Sequence, residues 1–154
     1  MANSVRPIPE GYHTATPYLI CDGAAQAIEF YKNAFGAVEI MRMPAPNGKV
    51  GHAEIKIGDS FIMLADENQQ MGARSPKSYG GSPVSLVLYV ENVDAVAGQA
   101  VAAGGKMTRP LKDEFYGDRT ATIVDPVGHT WHIHTHVKDV TPEEMKQAMQ
   151  AAGQ

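Results

Sequence analysis

A chain of 154 residues, 44% hydrophobic and 19% charged, has the length of one domain and the composition of a soluble globular protein. Its net charge of −4 argues against a nucleic-acid groove or a polybasic membrane surface, and no apolar run approaches the ~20 residues needed to span a bilayer. The single cysteine, Cys21, has no internal partner, and Pro7 and Pro9 interrupt the N-terminus before any signal-peptide core, so a cytoplasmic protein is expected.

In chain order, residues 1–12 read as an irregular arm broken by Pro7, Pro9 and Gly11. A strand is expected over 14–21, with Pro17 at an edge or bulge. Asp22 is the expected N-cap of a helix over 23–35, which places Ala24, Ala27, Ile28, Tyr31 and Phe35 on one face and ends at Gly36. Strands follow at 38–43, 50–57 and 60–65. Asn47-Gly48 signals a hairpin between the first two, and Gly58-Asp59 turns the chain into the third. Within 50–57, His52, Glu54 and Lys56 alternate with Ala53, Ile55 and Ile57.

Residues 67–83 are rich in Gly and Pro and read as a linker. Then the order restarts: a strand at 84–90, Asn92 as a cap, a helix over 93–103, and strands at 106–110, 119–124 and 130–135. Thr141-Pro142-Glu143-Glu144 is a capping box with Pro at N1, opening a C-terminal helix within about 141–152. Gly58 and Gly128 lie 70 positions apart, and so do Asp22 and Asn92. A turn and a cap at one offset mark a duplicated βαβββ unit, with module 1 at about 12–66 and module 2 at about 84–137. One helix cannot cover both faces of a four-stranded sheet, so two such sheets side by side are expected to enclose a cleft.

The residues that carry a family likeness are Thr16-Pro17-Tyr18-Leu19, Ala27-Ile28-Glu29-Phe30-Tyr31, Ala34-Phe35-Gly36, His52-Ala53-Glu54-Ile55, Ile57-Gly58-Asp59-Ser60, Phe115-Tyr116-Gly117-Asp118-Arg119 and Asp125-Pro126-Val127-Gly128-His129. With these, over roughly residues 11–137, the chain resembles the vicinal oxygen chelate superfamily, the glyoxalase, bleomycin-resistance and extradiol dioxygenase group, and within it the PhnB-like branch. The resemblance implies an α+β fold of two tandem βαβββ modules in an open, cupped, mixed sheet. Helices would cover the convex side and a ligand the concave side, usually within a homodimer.

It further implies, for the enzymes of the group, a divalent metal held by His, Glu or Gln from the first and last strands of each module. Laid on this sequence, those places fall to Thr16, Met63, Ser85 and His132, of which only His132 is a competent ligand. Strand parity points His132, His134 and His136 to one face, and puts His52 and Glu54 together on a strand of the other module. A non-standard site of His52, Glu54, His132 and His134 for zinc, nickel, manganese or iron, serving a lyase or dioxygenase, is therefore the alternative reading.

The preferred reading has no metal. A small organic molecule sits in a pocket of Thr16, Tyr18, His52, Glu54, Met63, Ser85, Tyr89, Tyr116, Arg119, His132 and His134. Glu54 is the candidate general base, against the plainer view that it is a charge on an open sheet face. Tyr116 and Arg119 have an equally plain alternative, a hairpin in which Asp118 and Arg119 form a local or dimer-interface ion pair. Trp131 and Ile133, of opposite parity to the histidines, are expected under a helix, and Cys21 in the core. The expected partners are the ligand and a second copy of the chain, without nucleic acid or membrane.

Overall fold

Residues 4–153 are described by a computed structural model. The first module runs β1 (Tyr18–Cys21), α1 (Ala24–Phe35), β2 (Val38–Pro44), β3 (Val50–Ile57) and β4 (Ser60–Asp66). A connection containing the single-turn α2 (Pro76–Tyr79) leads to β5 (Ser85–Tyr89), α3 (Val93–Ala102), β6 (Lys106–Asp113), β7 (Asp118–Val124) and β8 (Thr130–His136), and α4 (Pro142–Ala152) closes the chain. β1 starts later than expected because Pro17 has no N–H to offer a ladder; its carbonyl instead takes the N–H of Met63 at 3.0 Å. β6 runs past Pro110 because the register shifts between Arg109 and Lys112 absorb it.

The eight strands form two four-stranded mixed sheets, ordered β1-β4-β3-β2 and β5-β8-β7-β6. In each, the first strand pairs in parallel with the last, and the other pairs are antiparallel. The registers create corresponding rows across the two sheets. Tyr18, Met63, Glu54 and Met41 face one another in the first sheet; Val87, His132, Thr122 and Arg109 do so in the second.

The helix caps depart from expectation in one place. Gly23, at φ 102°, is the N-cap of α1, and Asp22 makes no cap bond. A left-handed residue cannot extend the helix backward, so the first-turn N–H groups of Gly23 and Ala24 turn to Asp66 Oδ1, at 3.0 and 2.8 Å. Asn92 caps α3 as expected, its Oδ1 accepting from Ala95 N–H at 3.0 Å. Thr141 likewise caps α4, which buries no residue.

The core lies where α1 and α3 pack on the sheets and on each other, and it spans both modules. Phe30 and Ala34 are buried although they fall off the predicted face of α1, because α1 packs on α3 as well as on its own sheet. Trp131, on β8, is fully buried beneath α1, with the rings of Tyr31 and Phe35 centred 5.2 and 5.0 Å away. Burying an aliphatic neighbour such as Ile28 or Ile133 stabilises the fold by roughly 1.5–3 kcal/mol. The buried Asp125, in the β7–β8 turn, fastens the two modules. Its Oδ2 accepts from Tyr31 O–H at 2.5 Å and Trp131 N–H at 2.8 Å, and its Oδ1 from the backbone N–H groups of Val127 and His129. The His129 ring hydrogen-bonds the edge of β1 through Ile20 O at 2.9 Å. Among the described residues no helix is long and apolar enough to cross a membrane.

Candidate functional site

Alternation along the strands sends one set of side chains into the core and the other onto the opposite face of each sheet. On the first sheet that face carries a chain of hydrogen bonds. Tyr18 O–H bonds His52 Nδ1 at 2.8 Å, and His52 Nε2 bonds Glu54 Oε1 at 3.3 Å. Tyr12 O–H donates to the other oxygen, Glu54 Oε2. With Nε2–H donating to the carboxylate, His52 Nδ1 is the acceptor for Tyr18, so one tautomer satisfies all three bonds. Burial, and then the Glu54 carboxylate, pushes the Tyr12 phenol up to about 12. Glu54 thus stands where a general base was expected, but both of its oxygens are engaged.

On the second sheet the organising group is Asp118, the partner that the plainer alternative offers Arg119. It is 3% exposed and accepts three hydrogen bonds: His134 Nδ1 at 2.9 Å, His136 Nδ1 at 2.8 Å and Tyr89 O–H at 3.1 Å. His136 Nε2 bonds the exposed Asp139 at 2.7 Å. Burial works against the Asp118 charge, but the bonds from His134, His136 and Tyr89 outweigh it and hold the carboxyl below its usual range. The Asp139 and Asp118 bonds raise His136. His132 is lowered by burial and then by electrostatic repulsion from its neighbours His134 and Arg109; its Nδ1 meets Thr122 Oγ1 at 2.9 Å. The rings of Tyr89 and Tyr116 flank His134, edge-on and stacked respectively. Gly117 makes this corner possible: at φ 101°, an added Cβ would lie 2.0 Å from the Lys138 carbonyl oxygen.

Arg119 does not join this face. It is one residue from Asp118 on β7, so it points the opposite way, where it bonds Asp94 at 2.8 and 3.0 Å and Asp113 at 3.2 Å. The expected ion pair with Asp118 is therefore replaced by pairs with Asp94 and Asp113.

A cavity of about 860 Å³ lies between the β1 and β5 edges. Thr16, Tyr18 and Ser85 line it from the two modules, with Arg74, Pro76, Tyr79 and Pro83 from the connection. The Arg74 guanidinium rests over the Tyr79 ring, 4.7 Å from its centre. A second cavity, of about 520 Å³, lies under the N-terminal arm against Glu54, Thr16 and Met63. The predicted site residues therefore fall into three groups: Thr16, Tyr18 and Ser85 at the central cavity, His52, Glu54 and Met63 on the first sheet, and Tyr89, Tyr116, His132 and His134 on the second.

The metal readings fare accordingly. A hydroxyl from Thr16, a thioether from Met63, a hydroxyl from Ser85 and one imidazole do not suit a divalent ion. His52 and Glu54 belong to one sheet, His132 and His134 to the other. Among the described residues no group of three or more His, Cys, Asp or Glu side chains is placed to hold a metal ion. Sequence reasoning passed over Tyr12, Arg109 and Asp139. For Arg109 the signal is register across β6, β7 and β8; for Tyr12 no local pattern exists.

Residues 12–133 match the family model described as Glyoxalase/Bleomycin resistance protein/Dioxygenase superfamily. The chain belongs to that superfamily. It is 42% identical over 141 residues to the uncharacterized protein Rv0887c of Mycobacterium tuberculosis, covering 90% of this chain and 83% of that one. The glyoxalase-type fold recurs in the crystal structure of the Arabidopsis thaliana At5g48480 product, with a TM-score of 0.64 and 25% identity over 79% of this chain and 98% of that one. It recurs also in a PhnB protein from Bacillus cereus, with a TM-score of 0.62 and 19% identity over 80% of this chain and 99% of that one; this likeness is one of fold.

Proposed function

We propose that this glyoxalase-superfamily protein binds a small, largely apolar organic ligand between its modules, as a PhnB-like member acting as a cytoplasmic homodimer. The observation that carries the reading is the central cavity. Its size lies in the range of small-molecule sites, and its walls mix apolar surface with a few placed polar groups, namely the Thr16 and Ser85 hydroxyls and the Arg74 guanidinium. An aromatic or aliphatic carboxylate suits such a wall, with the guanidinium at its charged end. The exposure of Tyr18, Val87 and Tyr89, at 49%, 51% and 68%, supports a second chain covering the open sheet faces.

A thermal-shift screen of aromatic and aliphatic carboxylates tests the reading, with Ser85→Trp as the blocking variant. Compounds that stabilise the wild type and lose that effect in Ser85→Trp are expected. Stabilisation indifferent to Ser85→Trp and to Arg74→Ala would remove the cavity from consideration. Solution scattering at micromolar concentration is expected to give the mass of two chains, and a monomer would refute the dimer.

A further inference from the structure

The N-terminal arm treats the first sheet as a ligand would. Gly11 adopts φ +82°, and Tyr12 N–H closes a turn on Pro9 O at 3.2 Å, so the arm folds back over β4 and delivers Tyr12. An added Cβ on Gly11 would lie 2.8 Å from Phe61 Cε2, so only a bare backbone lies this flat against that ring. The Tyr12 ring stacks on Phe61 with centres 4.2 Å apart and planes 16° apart, while its hydroxyl donates to Glu54 Oε2. An aromatic face below and an anionic acceptor at the hydroxyl end are the two contacts that recognise a phenol.

The receiving surface does not depend on the arm for its order. Glu54 is held through its other oxygen by His52, which is bonded in turn by Tyr18, all on strands of the first sheet. The arm is tied down lightly. Among the described residues, its only backbone–backbone hydrogen bond within 4–14 is the Tyr12–Pro9 turn, and none joins it to a strand. The cavity of about 520 Å³ beside Tyr12, walled by Pro7, Ile8, Glu54 and Met63, leaves room for a body larger than the tyrosine ring.

We infer that Phe61 and Glu54 form a subsite for an aromatic hydroxyl compound, a phenol in its simplest form, and that Tyr12 occupies this subsite in the free chain as a tethered stand-in. The inference rests on the reading of the protein as a small-molecule binder and adds a ligand class on the first sheet. A tethered competitor acts at a high effective concentration and lowers the apparent affinity for a free ligand until the arm is displaced.

The test uses the full chain and 4-methylphenol, the side chain of tyrosine as a free molecule, with toluene as its hydroxyl-free control. Binding is measured by calorimetry or NMR titration in the wild type, Tyr12→Ala and Tyr12→Ala/Glu54→Gln, with Tyr12→Leu as a second arm variant should Tyr12→Ala fold poorly. Tyr12→Ala is expected to bind 4-methylphenol at least tenfold tighter than the wild type and at least tenfold tighter than it binds toluene. Adding Glu54→Gln is expected to weaken that binding. In the wild type, millimolar 4-methylphenol is expected to move the Tyr12 ring proton resonances toward those of a free tyrosine as the ring leaves Phe61. Equal affinity in the wild type and both arm variants, or indifference to Glu54→Gln, overturns the subsite. Ser85→Trp separates the two readings: loss of 4-methylphenol binding in that variant assigns the compound to the central cavity and sinks the subsite alone. Absence of binding by any variant, together with a blank carboxylate screen, sinks both.

Discussion

Asp66 and Thr135 hold corresponding places, each at or next to the end of the last strand of its module and each accepting a hydrogen bond from the first turn of that module's own helix. They lie 69 positions apart. The strand that lies beside the first strand of each sheet thus also anchors the helix that follows that strand. Asp66 does more of this work, since it takes the N–H groups of Gly23, Ala24 and Val50, whereas Thr135 takes that of Val93. Asp66→Ala is expected to cost about 2–3 kcal/mol and Thr135→Val about 1 kcal/mol. Urea midpoints check the ranking, and a costlier Thr135→Val would reverse it.

The second prediction concerns Asp125. Removing its carboxylate leaves Tyr31 O–H and Trp131 N–H buried without partners and unfastens the modules. Asp125→Ala is expected to cost about 3–5 kcal/mol, a large share of the stability of a typical domain. Because Trp131 is the only tryptophan, its emission reports directly on the site. A lowered urea midpoint with red-shifted native emission is expected; an unchanged midpoint contradicts the fastening role.

The Asp118 network gives stability a pH dependence. His136 is raised in the folded chain by Asp139 and Asp118, so its contribution is complete below the unfolded value of about 6.5 and fades as pH rises through the higher folded one. Asp118 is lowered, so its contribution is complete above about 3.9 and fades as pH falls through the lower folded value. Both act together between about pH 4 and 6.5. The gap in thermal midpoint between the wild type and His136→Gln is expected to be widest there and to narrow in alkali. NMR titration adds a sharper check: His136 should titrate above, and His132 below, the ordinary histidine value. His136 in Asp139→Asn should move back down.

Cys21 is fully buried, and burial, followed by the Asp125 and Asp66 charges, pushes its thiol well above the usual range. A thiol without thiolate or access is inert. Modification by a thiol reagent is expected to wait for unfolding and to follow its rate; rapid labelling of the native chain would contradict the packing around α1.

Metal loading follows from donor chemistry. Protein prepared without a histidine tag and offered zinc, nickel, manganese or iron is expected to retain well under one ion per chain, equally in the wild type and His132→Ala. Stoichiometric metal lost in His132→Ala would restore the metal-enzyme reading.

Much of the architecture was legible because strand and helix periods are local. Alternation along residues 130–136 separated Trp131 and Ile133, now in the core, from His132, His134 and His136 on the other face. The same alternation forbids a direct Asp118–Arg119 partnership across β7, and the structure sends them to different partners. The helix cap was less legible. Asp22 stands in the right place in sequence, yet Asp66 does the capping from a strand more than 40 residues away.

Composition, periodicity and the repeat of turn and cap determined the βαβββ duplication and the inward or outward direction along strands such as β3 and β8, because these depend on neighbours a few positions away. Only the tertiary structure decided which outward residues meet. Register across separate strands aligned Arg109 with His132, and the division of the strands between two sheets left His52 and Glu54 on one and His132 and His134 on the other. The fold of an aperiodic arm brought Tyr12 to Phe61 and Glu54. Contacts between residues distant along the chain arise from packing of whole elements, and no local period encodes them.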